Sequence, residues 1–185
     1  MKKMIFVFAV LLAATAVFSE TANEKHELAF KRGTNAIDFG FNLTWSNGIG
    51  AVLIYDRGAI NNMFSFGADI AYHTRERSFF GIKLGVRDTY LAPNFRFAFH
   101  PLGIPAIEAK GAKVLSVMDP YAVLKMGPRF RWTTWDSDIW DYESESSAGF
   151  GWGTSLGSRF YVNKTFHFLV ELGNYNTILG LGFNF

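Results

Sequence analysis

The sequence predicts an all-β protein, an eight-stranded antiparallel transmembrane β-barrel. Large apolar residues alternate with small or polar ones along successive segments, and side chains alternate between the two faces of a strand. The face opposite the apolar one is mostly glycine and serine near the C-terminus, where a soluble sheet would be charged. Small residues inside and aromatics outside suit a narrow barrel with lipid around it. A soluble β-sandwich or a lipocalin-like barrel is the alternative.

The N-terminus carries the pattern of a secretory signal peptide. Lys2 and Lys3 precede the apolar run Met4–Phe18, which is too short for a comfortable membrane helix. We predict a signal peptide over residues 1–19, with cleavage after Ala16 or Ala22 as alternatives. A periplasmic lead-in over 20–34 and a barrel over 35–185 follow. The absence of cysteine excludes disulfides and a lipid-modified cysteine.

The charge balance argues against nucleic acid as a partner. The 185-residue chain has 18 Lys and Arg against 16 Asp and Glu. Removing Lys2 and Lys3 leaves 16 of each sign, whereas a nucleic-acid binder needs an excess of base. The mean hydropathy of +0.10 is too low for a helical membrane protein. It is typical of a barrel, in which half of each strand faces inward.

Three strands are predicted in the first half of the barrel. Asn35–Trp45 alternates without a break and ends on an aromatic, as a membrane-spanning strand with an interfacial girdle would. Ile49–Arg57 is less clear because Ala51–Tyr55 is nearly all apolar. Met63–Thr74 alternates again. The basic run Arg75–Ser78 predicts a loop that extends toward Gly85.

Two further strands flank an irregular connection. Thr89–His100 contains Pro93, which predicts a bulge or weakened pairing. Pro101–Pro120 breaks the alternation and has room for one or two helical turns. Tyr121–Trp132 is the fifth strand, and Thr133–Ser147 follows it as the largest extracellular loop.

The C-terminal stretch Gly149–Phe185 predicts strands six, seven and eight. Large apolar residues recur at every second position in most of it, and the last residue is an aromatic in phase with them. Val162–Thr165 and Asn174–Asn176 are short polar turns between the runs. An even count of eight strands closes a small barrel whose interior is filled by side chains.

The last third of the chain resembles known families. The segments PYAVLKMGPRFRW, SSAGFGWGTSLGSRFYVNKTFHFLVELG and LGLGFNF are similar to those of the small bacterial outer-membrane β-barrels, namely the OmpW-like, OmpX-like and opacity-type porin-like groups. The resemblance covers 35–185 by pattern and 121–185 by motif. It implies an outer-membrane location and contact with outer-membrane lipid. It does not imply one activity, and the long connection 101–120 departs from the smallest members.

The inward-facing charges form the first candidate site. A charge inside a narrow barrel is costly unless it is paired, so charges of both signs predict a network that plugs the lumen. The alternative is a constriction lined by base that passes small polar or anionic solutes. The residues are Asp38, Asp69, Arg96, Lys125, Arg129, Arg159 and Glu171.

The acidic, aromatic loop is the second candidate site. Tryptophan and tyrosine are frequent anchors at interfaces, which suggests an extracellular ligand. Two alternatives are a solvated loop resting on the membrane surface and a calcium site, although the spacing lacks the EF-hand glycine. The candidates are Trp135, Asp136, Asp138, Trp140, Asp141, Tyr142, Glu143 and Glu145.

We predict no enzyme, no cofactor and no metal. The resembling families include lipid-modifying enzymes that use His with Ser and an acid, and His73 and His167 are the positions to test. The glycines of Gly149–Gly153 precede no helix, so a phosphate-binding loop is disfavoured. The expected function is a small porin-like or structural barrel with a largely plugged lumen. A surface adhesin acting through residues 133–147 is the alternative, and a lipid-modifying enzyme is the third possibility.

Overall fold

A computed structural model describes residues 27–44, 48–79, 82–109, 114–135 and 144–185. Its eight strands pair in sequence order, each antiparallel to the next, and the last strand pairs with the first. The predicted fold class is therefore confirmed. The strands are β1 Asn35–Thr44, β2 Ile49–Gly58, β3 Phe64–Phe79, β4 Ile82–Phe99, β5 Met118–Trp135, β6 Glu145–Tyr161, β7 Phe166–Gly173 and β8 Asn176–Asn184.

The register of the pairs sets the size of the barrel. From Phe41, partners followed through β2, β3 and β4 lead to Phe130 on β5. Followed the other way, through β8, β7 and β6, they lead to Pro120 on the same strand. The two ends differ by ten positions (120 and 130), which is the shear of the barrel. Eight strands with this stagger enclose a lumen that side chains can fill.

The exterior of the barrel is apolar and aromatic. Phe39, Phe41 and Phe168 are 58%, 67% and 48% exposed. The end of the barrel beside the lead-in is predicted to face the periplasm and is called the periplasmic end, and the opposite end is called the extracellular end. Toward the periplasmic end, Phe64 stacks on Phe97 with ring centroids 5.3 Å apart, one of several outward aromatic pairs there. A soluble protein does not expose a continuous apolar belt of this extent. The exterior is therefore a surface for lipid, as in outer-membrane barrels.

The interior has room for large polar side chains because small residues stand beside them. A Cβ added at Gly182 would overlap the side chains of Asp38 and His167, and one at Gly157 would overlap the ring of Tyr121. The glycines predicted to face inward thus leave space for particular side chains on neighbouring strands.

Two loop predictions are wrong in extent. Arg75–Ser78 belongs to β3 and not to a loop, and β3 to β6 are 16 to 18 residues long. The predicted loop Thr133–Ser147 is shorter, because its first three residues end β5 and its last three begin β6. Charge was a poor guide to the loop because Arg75 pairs across the strands with Asp88.

Pro93 interrupts the pairing of β4 with β5 without changing its register. The ladder is continuous up to Leu91 opposite Phe130 and resumes at Phe95 opposite Met126. In this register Pro93 faces Pro128, and neither can donate a backbone hydrogen bond. The predicted weakened pairing is confirmed, whereas the alternative of a bulge is not seen here.

The connection between β4 and β5 contains short helices, as expected. Pro101–Gly103 forms a 3-10 turn, and α1 Pro105–Glu108 and α2 Val114–Val117 follow. Asn62, in the β2–β3 turn, accepts a hydrogen bond from the Arg32 backbone at 2.7 Å and donates to Glu108 at 3.2 Å. These bonds join the lead-in, a turn and the connection at the periplasmic end. Among the described residues, no helix is long and apolar enough to cross a membrane.

Candidate functional site

Arg96 on β4 lies at the centre of the lumen and is completely buried. Its Nε is 3.1 Å from Asp56 Oδ1, its Nη1 is 3.2 Å from Asp69 Oδ2 and its Nη2 is 3.0 Å from Glu171 Oε2. These carboxylates come from β2, β3 and β7. One guanidinium thus ties together strands from opposite sides of the barrel, which its planar set of donors suits.

Arg159 on β6 forms the second crossing and is also completely buried. Its Nη2 lies 2.9 Å from Asp38 Oδ2 and 2.6 Å from Asp56 Oδ2. Its guanidinium carbon is 5.1 Å from the ring centres of both Phe30 and Tyr121. Two aromatic faces and two carboxylates surround this charge, which compensates for its removal from water.

Lys125 and Tyr121, both on β5, complete the network. Lys125 forms ion pairs with Glu171 and, at 3.6 Å, with Asp69. The Tyr121 hydroxyl donates to Glu171 Oε2 at 2.9 Å. The lumen is therefore filled at this level by side chains held in place by one another.

The network has more acid than base. Arg96, Arg159 and Lys125 meet five carboxylates, from Asp38, Asp56, Asp69, Asp119 and Glu171. The seven residues predicted from sequence have four bases and three acids, because they include Arg129 and omit Asp56 and Asp119. The inward position of Asp56 follows from its alternation with Leu53 and Tyr55. Asp119 is the second residue of β5, but it lies within 101–120, where the sequence showed no alternation.

Arg129 does not join the buried network. Its side chain is exposed and donates to the Trp152 carbonyl at 3.4 Å, passing over Gly151. The other six predicted lumen residues all lie in the network. A constriction lined by an excess of base is therefore not supported by the geometry.

A second cluster closes the extracellular end of the lumen. Asp88 on β4 is buried, and Arg75, Arg77 and Arg131 contact it at 3.3, 2.8 and 3.0 Å. Thr133 also donates to Asp88 at 2.8 Å. About a third of each arginine side chain is exposed. With one carboxylate among three guanidiniums, this cluster has an excess of positive charge.

A row of hydrogen bonds lies at the periplasmic mouth. Ser65 Oγ is 2.9 Å from His100 Nε2, and His100 Nδ1 is 2.7 Å from Asp119 Oδ1. All three side chains are buried. The sequence analysis did not predict this group, since its members belong to three segments separated by up to 54 positions.

The lead-in covers this mouth. Phe30 is 3% exposed and stacks on His100 with centroids 4.9 Å apart. Two hydrogen bonds hold its segment to the barrel. The Asn184 side-chain amide donates to the Ala29 carbonyl at 3.1 Å, and the Gly33 N–H donates to the Gly58 carbonyl at 2.9 Å. The described part of the lead-in is thus a plug.

The two histidines named for a catalytic test lie elsewhere. His167 pairs with Asp38, and His73 stacks on Tyr90 at 4.7 Å. Neither makes a hydrogen bond to a serine within the described ranges. Those ranges also contain no group of three or more His, Asp or Glu side chains placed to hold a metal ion.

The acidic loop falls mainly outside the described residues, which exclude 136–143. Of its candidates, Trp135 ends β5 and Glu145 begins β6, and both are exposed. The other six lie outside the described residues, and the binding role assigned to all eight stays a prediction: Asp136, Asp138, Trp140, Asp141, Tyr142 and Glu143 as well as these two.

Comparison with known proteins identifies the fold. No protein-family model matches the chain, and no curated protein matches it. The outer membrane protein OprG from Pseudomonas aeruginosa superimposes with a TM-score of 0.61 at 12% identity, over 86% of this chain and 99% of that one. The attachment invasion locus protein Ail of Yersinia pestis, in complex with the heparin analogue sucrose octasulfate, gives 0.54 at 16% identity, over 83% and 99%. This chain has the fold of small bacterial outer-membrane barrels, in agreement with the predicted location.

Proposed function

We propose that this chain, with the fold of a small outer-membrane barrel, is a structural barrel with a plugged lumen that conducts no ions. The observation that carries the proposal is the pair of fully buried arginines, Arg96 and Arg159, which bridge carboxylates across the barrel. Opening a path would require breaking several charge-assisted hydrogen bonds in a space that side chains fill.

Both ends of the lumen support closure. The Asp88 cluster stands at the extracellular end, and Phe30 covers the periplasmic mouth. A solute would have to displace three separate layers of side chains. Porins with aqueous channels are built from many more strands.

Conductance in a planar bilayer tests this proposal. The mature protein should insert as a folded barrel and remain electrically silent, because the ion-paired layer has no water path. A matched variant, Phe30→Ala, should remain silent as well, because the inner network persists when the mouth is uncovered. Discrete steps in the wild-type trace that disappear on changing Arg96 would make it a pore and overturn the proposal.

A second candidate function is binding at the extracellular side. A membrane strand needs about 9–11 residues, whereas β3 to β6 have 16 to 18, so these strands extend beyond the bilayer. β6 pairs with β7 only from Ser155 to Tyr161, which leaves its outer part with an open edge. An open edge with exposed aromatic side chains such as Phe150 and Trp152 is a suitable surface for a partner.

The chemistry of the rim favours an anionic ligand. Arg77 and Arg131 share Asp88 with Arg75, so their combined positive charge exceeds the charge of that carboxylate. Guanidinium groups bind sulfate and phosphate through paired hydrogen bonds. The ligand in the Ail complex is a sulfated sugar, which makes a sulfated glycan a reasonable partner to test here.

Calorimetry with sucrose octasulfate tests this binding on the protein in nanodiscs. Arg77→Ala or Arg131→Ala should weaken binding about tenfold or more, since a hydrogen bond to a charged group contributes about 1.5–3 kcal/mol. Arg57→Ala, an exposed arginine at the periplasmic end of β2, is the matched control and should bind normally. Equal affinities in all three variants would refute the rim as the site. Loss of binding only on deleting residues 136–143 would assign it to the acidic loop.

A further inference from the structure

The periplasmic mouth contains a serine, a histidine and an aspartate. The histidine lies between the other two and contacts both, as in the catalytic triads of nucleophilic hydrolases. Ser65 is the second residue of β3, His100 directly follows β4 and Asp119 is the second residue of β5. The 2.9 Å contact from Ser65 Oγ to His100 Nε2 and the 2.7 Å contact from His100 Nδ1 to Asp119 Oδ1 fall within hydrogen-bond range. Such arrangements are recognised by geometry and role, and they recur on unrelated folds.

We propose that Ser65, His100 and Asp119 form a nucleophilic site that hydrolyses small carboxylic esters, and that Phe30 is its lid. This activity goes beyond the proposed structural role. Hydrolysis is also independent of conductance. Substrate needs only the mouth to open, and the ion-paired layer deeper in the lumen stays intact.

The hydrogen bonds select the tautomer that the reaction needs. Asp119 is acceptor-only as a carboxylate, so His100 donates its Nδ1 proton to it. The lone pair of Nε2 then accepts from the Ser65 hydroxyl. Asp119 is in turn held by Arg159, whose Nη1 lies 3.5 Å from Oδ2. Asp119 is thus a positioning residue for the histidine.

The reaction balances with water as the second substrate. Ser65 Oγ bonds to the ester carbonyl carbon and gives its proton to His100 Nε2. The bond from that carbon to the alkoxy oxygen breaks, and His100 returns the proton to release an alcohol. Water then attacks the acyl-serine, passes a proton through His100 to Ser65 Oγ and releases the carboxylic acid.

Polar atoms with incomplete hydrogen bonding lie beside this group and indicate where water or an ester oxygen fits. Arg159 Nη1, Asp119 Oδ2 and Tyr161 Oη are buried and make no hydrogen bond, although the first two form the 3.5 Å ion pair. Buried polar atoms are nearly always paired with protein or with ordered water. Arg159 Nη1 and the Tyr161 hydroxyl can donate to a carbonyl oxygen, and both side chains pack near Phe30.

Access depends on the lead-in and not on the barrel. Phe30 packs on the His100 ring but belongs to a segment outside the eight strands, attached to the barrel by a few hydrogen bonds. Displacing it breaks none of the strand ladders. Because Tyr121 and Arg159 fill the space behind, only a small acyl group would fit in the mouth.

Labelling with a fluorophosphonate, followed by peptide mass mapping, tests the site on the mature protein folded in lipid vesicles. We expect a slow single label on Ser65 in the wild type and at least tenfold faster labelling in Phe30→Ala. Asp119→Asn in the Phe30→Ala background should lower that rate by about 10²–10⁴, the range for losing the oriented histidine. Hydrolysis of p-nitrophenyl acetate should follow the same order.

The controls separate chemistry from folding. Ser155→Ala removes another buried interior serine and should label like the parent, and Ser65→Ala should not label. Heat-dependent mobility in gel electrophoresis verifies that each variant is a folded barrel. No label on Ser65 in either the wild type or Phe30→Ala would overturn the proposal. A label on a different residue, or a rate unaffected by Asp119→Asn, would also overturn it.

Discussion

Replacing Arg96 by methionine should lower the free energy of unfolding by about 3–5 kcal/mol, the largest loss that we expect from a single side chain. The change keeps a long side chain but leaves Asp56, Asp69 and Glu171 without the guanidinium that bridges them. Removing one partner from a buried ion pair leaves uncompensated charge, which costs about that much. Urea unfolding in lipid vesicles, followed by tryptophan fluorescence, measures the loss.

Arg129→Met is the matched control for Arg96→Met. Arg129 is exposed, and within the described residues its hydrogen bond is to the Trp152 carbonyl, so its replacement should change stability by no more than about 0.5 kcal/mol. Equal losses in the two variants would mean that burial of the central network does not determine stability. In Arg96→Met, adding Asp56→Asn should recover part of the loss, because it removes one unpaired charge.

Replacing Phe39 by arginine should cost about 2–4 kcal/mol of unfolding free energy in a bilayer. Phe39 is midway along β1 and its side chain points outward. It is 58% exposed, on the apolar surface that faces lipid. An arginine at the bilayer midplane of a barrel has a cost in this range. The same unfolding measurement in vesicles gives the value.

Tyr175→Arg provides the comparison for Phe39→Arg. Tyr175 is an aromatic residue of similar exposure, 67%, in the turn between β7 and β8, at the edge of the bilayer, where an arginine costs about 0–1 kcal/mol. Its replacement should be nearly neutral. An equal loss of unfolding free energy in the two variants would mean that depth in the membrane has no effect. The apolar exterior would then not face lipid.

The alternation of side chains allowed much of the fold to be predicted from sequence. The unbroken alternation over Asn35–Trp45 puts Phe39 and Phe41 on the face opposite Asp38, and in the structure the two rings are exposed and Asp38 is buried. The prediction succeeds because the face on which a strand residue lies depends only on its parity, that is, on whether its position along the strand is odd or even. The outward aromatics and inward glycines of β6 and β8 then indicated lipid outside and crowding inside.

The ends of the long strands were harder to predict, for a physical reason. Arg75, Arg77 and Asp88 look like loop residues when taken singly, because each is charged. Across β3 and β4 the two arginines share the Asp88 carboxylate, and the paired strands extend the sheet. That these residues belong to strands follows from the pairing of β3 with β4, and neither segment shows it alone.

The sequence by itself determined which side chains face the lumen, and only the tertiary structure decided which of them meet. Asp38 and Arg159 are 121 positions apart, and Ser65, His100 and Asp119 come from three segments. Their heights in the barrel depend on the register of eight strand pairs and on the shear with which the barrel closes. Parity is a local property of the chain, whereas register and closure arise from the whole set of pairings.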